Sequence, residues 1–188
     1  MSSLGQDNAL EIDPENNFFW RFDMRRLAAE EIRDSILNLT GKLNLQMRGP
    51  SIYTPVPEVI LATASRPHAA WGNSPEDQQN RRSVYVYIKR SLHEPLLKTF
   101  DMADTDSACA VRFTTTVPTQ ALTMLNSEFL NDQAEAFANR IEADAETPRE
   151  QIAQALRLST SREPELNEID QGLAMIEELK TQLKVTEH

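Results

Sequence analysis

Between residues 42 and 82 the chain carries Pro50, Pro55, Pro57, Pro67 and Pro75 together with Gly49 and Gly72. Proline lacks a backbone N–H and clashes with the preceding helical turn, so no long helix runs through this stretch, and the chain must make a long irregular excursion. A loop of that length inside a compact domain is either disordered or functional. Ile52, Tyr53, Val56, Val59, Ile60, Leu61 and Trp71 punctuate it with apolar side chains, which predicts that it packs onto something.

On both sides of the excursion the pattern is helical. From Asp23, the residues Met24, Leu27, Ala28, Ile32, Ser35, Ile36 and Leu39 follow the three-to-four spacing of one buried face, Arg26, Glu30, Arg33 and Asn38 fall on the opposite face, and Gly41 supplies a stop. A short helix is expected at 96–100 after Pro95, followed by a polar turn at 101–106. Thr114-Thr115-Thr116-Val117-Pro118 reads as a helix start, and the helix it opens would present Leu122, Leu125, Phe129, Ala136, Phe137 and Ile141. Two further helices are expected at about 149–158 and 164–184. Val84-Tyr85-Val86-Tyr87-Ile88 is β-rich and reads either as a short strand near 84–88 or as the start of a helix. The fold class is therefore mainly α: an irregular helical array around a long Pro-rich ordered loop, without internal repeats.

With 188 residues, 40% of them hydrophobic, the chain suits one ordinary core. Residues 1–17 read as a flexible polar tail, Phe18, Phe19 and Trp20 as an anchoring plug, and 18–188 as a single helical domain. The net charge of -10 is uneven, with 12 Lys and Arg against 15 Asp and Glu in residues 1–111 but 7 against 14 in 112–188. Such an acidic half repels a polyanion, and no basic run offers a phosphate footprint, which argues against nucleic acid as a partner. Cys109 is the sole cysteine, so an internal disulfide, a thiolate-held metal cluster and a Cys-x-x-Cys-His haem attachment are all absent. No apolar run approaches a membrane span, and residues 1–11 lack the basic-then-apolar order of a signal peptide, so taken alone the chain reads as cytoplasmic.

A series of strings carries a resemblance: Phe19-Trp20-Arg21, Arg25-Arg26-Leu27 with Glu30, Arg33 and Asp34, Gly49-Pro50-Ser51, Arg81-Arg82-Ser83-Val84-Tyr85, Phe100-Asp101 with Asp104, Cys109 with Arg112, and Gln120-Ala121-Leu122 with Asn126. In order and spacing they resemble the C-terminal part of the planctomycete PSD domain one family, domain of unknown function 1553. A weaker likeness continues at Arg162-Glu163-Pro164, where Glu165 departs from the usual threonine. Arg48 departs too, because a glycine often precedes the Gly-Pro pair. The resemblance implies the C-terminal end of a large exported protein, periplasmic or at the cell surface, with the upstream domains of the same protein as partners. It also implies that the first part of the family domain is missing here and that apolar surface is left uncovered. Haem of the cytochrome type would come only with an attached upstream domain; no cofactor is expected in this chain.

Several constellations are candidates for chemistry. Arg25, Arg26, Glu30, Arg33 and Asp34 lie on neighbouring helical turns, where opposite charges pair. Arg25 with Arg81 and Arg82 would alternatively form an anion site, since guanidinium forks suit carboxylate or sulfate. Asp101, Asp104 and Asp106 lie close enough to hold a hard cation, but they lack the calcium-loop glycine and glutamate and equally suit a turn. Cys109 reads as a buried inert thiol, with a disulfide to another segment of the full protein as the next reading. Neither His68 nor His188 is placed to serve it as a base, and His93, near the acidic turn, reads as a surface or hydrogen-bonded residue rather than a ligand or base. Tyr53, Trp71, Tyr85 and Tyr87, interleaved with Arg81, Arg82 and Arg90, would either line a groove for acidic carbohydrate or anchor the loop. The ligand-binding candidates are thus Arg25, Arg81, Arg82, Tyr53, Tyr85, Asp101 and Asp104, with no metal assigned. The leading expectation is an accessory or interaction module; the alternative is part of an enzyme acting on sulfated or acidic polysaccharide.

Overall fold

The computed structural model describes residues 7–63, 71–105 and 108–186. Among them are nine α-helices and no named strand, which confirms the mainly helical array around an irregular loop. Helix α2 (Ala29–Thr40) organises the array. Its start is set by Glu31, whose Oε2 turns back to accept the Ala28 N–H at 2.8 Å, satisfying one of the donors that a helix N-terminus leaves free. Arg25 forks onto the same carboxylate at 2.7 and 2.6 Å. That clamp holds residues 23–28 outside the helix, so α2 begins later than its apolar spacing from Asp23 suggests. Gly41, at φ 75, ends the helix in the left-handed conformation that glycine adopts without a Cβ penalty.

The buried face of α2 is Ala29, Arg33, Leu37 and Thr40. This is rotated by about one residue from the expected stripe, and Arg33 points inward rather than to solvent. Against this face pack α5 (Pro95–Thr99) and α7 (Glu128–Asp144). Ala29, Leu96, Leu97, Phe100 and Leu130 join Ile52 and Val86 of the loop in one core, flanked by Ile32, Ile36 and Phe129. Each large side chain buried there contributes about 1.5–3 kcal/mol.

Within the excursion the prolines allow only two short helices, α3 (Glu58–Ala62) after Pro57 and α4 (Glu76–Gln79) after Pro75. The β-rich run at 84–88 resolves into a 3-10 turn, Ser83–Tyr85, and a single parallel bridge: Ile52 N–H donates to Tyr85 O and Tyr87 N–H to Ile52 O, both at 2.8 Å. One bridge satisfies two donors and pins Ile52 in the core.

At the other end, α6 (Pro118–Asn126) and α7 are separate helices rather than the continuous one expected. Ser127 breaks them with an extended backbone, and its hydroxyl accepts the Leu130 N–H at 3.4 Å. Helix α8 (Pro148–Thr160) opens with a reciprocal pair in which Thr147 Oγ1 accepts from Glu150 N and Glu150 Oε2 from Thr147 N. It packs on α7 and on α9 (Leu166–Thr186). A Cβ on Gly172 would lie 2.8 Å from Ile152 Cγ2, so the glycine permits the close approach of α8 and α9.

The N-terminal stretch holds α1 (Asp7–Ile12) and a turn built on two buried polar residues, Asp13 and Asn16. Asp13 accepts the Asn17 and Phe18 N–H groups at 3.0 and 2.8 Å. Asn16 Nδ2 donates to Arg21 O, and its Oδ1 accepts the Arg21 N–H. The expected apolar plug is corrected here: Phe18 is 80% exposed and Phe19 74%, and only Trp20 is half-buried, its Nε1 donating to Asp13 O at 3.0 Å. Among the described residues, no helix is long and apolar enough to cross a membrane.

Candidate functional site

Two buried arginines hold the loop, Arg33 from α2 and Arg81 from the loop itself. Arg33 is 2% exposed and donates from Nη1 to Arg81 O and Ser83 Oγ at 3.0 and 3.2 Å, and from Nη2 to Gln79 O at 2.7 Å. Its guanidinium also lies 5.6 Å from the Phe129 ring centroid. Burial lowers its pKa, opposed by the nearby carboxylates of Glu94 and Asp34; a guanidinium nevertheless stays protonated. Arg81 is 1% exposed. It donates to Gln46 O at 3.2 Å, to Pro50 O at 3.1 Å and to Arg48 O, while its guanidinium stacks 3.9 Å from the Tyr85 ring centroid. Tyr85 Oη in turn accepts the Arg48 N–H at 2.7 Å. Arg33 thus fixes the backbone at 79–83, and Arg81 fixes the opposing turn at 46–50.

The turn needs this grip because two consecutive residues, Arg48 at φ 66 and Gly49 at φ 87, are left-handed. Glycine takes that conformation freely, whereas a side chain at position 48 is strained there. The departure at Arg48 noted in the sequence therefore falls on a position whose backbone suits glycine.

The remaining candidates separate. Arg25 is held by Glu31, whose carboxyl is drawn down to about 2, first by the Arg25 fork and then by the Ala28 N–H. Arg82 is exposed and pairs with Asp34 at 3.4 Å, while Asp34 Oδ1 accepts the Ser83 N–H at 2.6 Å. Tyr53 joins Trp71 and Tyr87 in a cluster with ring centroids 4.8–6.1 Å apart. These rings contact one another directly, and Trp71 Nε1 donates to Thr54 O at 2.8 Å. The structure accordingly brings Arg81 to Tyr85 and Tyr53 to Trp71 and Tyr87, without gathering Arg25, Arg81 and Arg82 around one anion site.

Asp101 and Asp104 share a cleft of about 600 Å³ with Lys98, Cys109, Arg112 and Phe113. Asp101, at φ 63, uses its carboxylate to accept the Thr115 N–H at 2.7 Å and the Thr115 hydroxyl at 2.9 Å, so it staples the segment leading into α6. Among the described residues no group of three His, Cys, Asp or Glu could hold a metal ion. Asp106, His68 and His188 lie outside the described residues. Cys109 is exposed, with its thiol 3.4 Å from Val111 O, which corrects the expectation of a buried cysteine. Arg112 pairs with Glu30 at 2.6 Å, and this pairing raises its pKa. His93 Nε2 lies 3.3 Å from Thr105 Oγ1.

A second cleft, of about 760 Å³, opens between the loop at 55–60, the start of α5 and the junction of α6 with α7. Glu94, 7% exposed, sits in its wall and caps α5 by accepting the Leu97 N–H at 2.6 Å. Burial pushes its carboxyl up, opposed by that hydrogen bond and by Arg33. The order of proline and acid before the short helix was a readable capping signal, but nothing local marked Glu94 as buried.

Compared with known families, the chain matches the family model PSD1, "Protein of unknown function (DUF1553)", over residues 1–176. The chain belongs to this family. No curated protein and no solved structure matches it. The resemblance read from strings at 19–126 therefore extends over most of this DUF1553 chain, including the helices in which those strings are sparse.

Proposed function

We propose that this DUF1553 domain is a non-catalytic docking module of an exported planctomycete multi-domain protein, periplasmic or cell-surface, that packs on upstream domains of the same protein. The observation that carries this reading is the N-terminal turn. Asp13 and Asn16 hold it in a defined shape, and Phe19 N–H donates to Asn16 O at 3.1 Å with Phe19 at φ 53. A bulky residue in the left-handed region costs about 1–3 kcal/mol, and such strain persists where surrounding bonds over-determine it. Here the strain presents Phe18 and Phe19 to solvent beside exposed Phe22 and Met24. An ordered turn that displays large apolar side chains suits contact with another protein surface.

The test is to replace Phe18 and Phe22 by Ser in the complete exported protein. The domain's own melting should be unchanged, while its protection from protease beside the neighbouring domains is lost; retained protection sinks the reading. The alternative, part of an enzyme acting on sulfated or acidic polysaccharide, draws on exposed Arg82 and on the cleft of Asp101 and Asp104. It predicts that Arg82→Ala weakens binding of dextran sulfate without lowering stability, and unchanged binding rejects it.

A further inference from the structure

The cleft at the α6–α7 junction combines apolar walls with acids alone. Pro55, Val56, Pro57, Ile60, Leu96 and Phe129 give it apolar walls. Its ionisable residues are Glu94, Glu128 and Asp132, all acids, with no lysine, arginine or histidine in the lining. Glu128 and Asp132 are four residues apart on α7, so both stand on the face that borders the cleft.

Elsewhere the carboxylates beside arginines are engaged: Glu30 with Arg112, Glu31 with Arg25, Asp34 with Arg82, Glu163 with Arg157 and Glu168 with Arg162. Glu128 and Asp132 are exposed, and neither forms an ion pair or a side-chain hydrogen bond among the described residues. The buried cation Arg33 interacts electrostatically with Glu94, but its donors are committed to Arg81 O, Gln79 O and Ser83 Oγ.

From this combination of apolar walls with two unengaged carboxylates at the rim, we infer that the cleft docks a short basic and apolar peptide segment of a protein partner. The lysine or arginine of that segment lies between Glu128 and Asp132, and its apolar neighbours lie on Pro57, Ile60 and Phe129. A long cationic side chain suits the site because its methylenes cover apolar surface while its head reaches the rim carboxylates. Charge complementarity of this kind selects partners and orients them. This inference rests on the docking-module reading and names the chemistry of one partner surface.

The experiment titrates the folded 188-residue chain with the probe acetyl-Leu-Lys-Val-Lys-Leu-amide and follows methyl and aromatic NMR signals. Shifts are expected at Ile60, Leu96 and Phe129, and the double variant Glu128→Gln, Asp132→Asn should weaken binding roughly fivefold, as for two partly exposed ion pairs. Raised salt should weaken the unmodified chain and leave the double variant nearly unchanged. Equal binding of acetyl-Leu-Glu-Val-Glu-Leu-amide, shifts outside the cleft, or an unaltered double variant would overturn the proposal. So would equal binding of n-pentylamine, which would assign the cleft to small amines instead. The Phe18→Ser, Phe22→Ser chain serves as the control: it should bind the peptide normally, so failure of the cleft and failure of the N-terminal docking reading give different results.

Discussion

The loop around Arg81 and the hairpin of α8 and α9 are ordered by opposite means. In the loop, side-chain donors seek main-chain acceptors: Arg33 and Arg81 between them take the carbonyls of Gln79, Arg81, Gln46, Arg48 and Pro50. In the hairpin, main-chain bonds are internal to the helices, α8 buries no residue fully, and Ile169 is the one buried side chain among the described residues of α9. Surface pairs, Arg157 with Glu163 and Arg162 with Glu168, bracket the turn between the two helices. An irregular segment cannot satisfy its carbonyls by repetition, so it needs a cation with several donors; helices need only a stripe and a cap.

The comparison is broken most severely by Arg81→Met. Three main-chain carbonyls lose their donor, and at about 1 kcal/mol or more for each the variant should lose at least about 3 kcal/mol in equilibrium denaturation. Arg81→Lys should recover little, because an ammonium cannot reproduce the planar fork. A loss below about 1 kcal/mol would show that water replaces the guanidinium.

Next in size, Ile169→Ala should cost about 2 kcal/mol through the cavity it leaves. Hydrogen exchange should localise that loss to α8 and α9, with protection of the Leu37 and Val86 amides unchanged. Spread of the effect into the loop would mean that the two regions unfold as one.

Acidification divides three glutamates by the sign of their contribution. Glu31 and Glu168 are held at about 2 by Arg25 and Arg162, below the ordinary 4.5. The stability each provides is complete above about pH 4.5 and is lost as pH falls toward 2. Glu94 works in the opposite sense: burial raises its carboxyl above 4.5, so the unfolded chain releases that proton first and stability falls as pH rises through the raised value. Glu94→Gln should therefore flatten the alkaline side of the stability profile, whereas Glu31→Gln and Glu168→Gln should flatten the acid side. Denaturation between pH 2 and 8 checks both signs.

The smallest effects are gains. Arg48→Gly in the loop and Ser161→Gly at the end of α8 each relieve a left-handed residue, at φ 66 and φ 55. Each should stabilise by up to about 1 kcal/mol. A larger gain at Arg48 would place more strain in the loop than in the helix end.

What was legible in the sequence follows the same division. Helices α5, α8 and α9 were foreseen to within a few residues because proline, hydroxyl caps and apolar spacing act locally. The start of α2 was missed, since Arg25 and Glu31 are six apart and their clamp overrides the spacing from Asp23. The break at Ser127 was missed for a related reason: Leu122, Leu125 and Phe129 continue an apolar stripe across it. Apolar spacing counted from Asp23 puts Arg33 on the solvent face, although it stands four residues from both Ala29 and Leu37 and so shares their face. The separation of Arg25, Arg81 and Arg82 had no local signal at all, because bonds to carbonyl oxygens leave no mark on the residues that accept them. Asp101 and Asp104 do share a cleft, as their closeness in sequence suggested, but Asp101 is occupied with Thr115.

Arg81 grips the turn at 46–50 through main-chain oxygens, which every amino acid possesses. The side chain of Met47, which is 75% exposed, can therefore be exchanged without loosening the turn, whereas Gly49 and Arg81 cannot. The loop is in this sense a fixed frame with an editable face: its path is set from within by main-chain acceptors, and the surface it shows to other molecules can be rewritten around that frame.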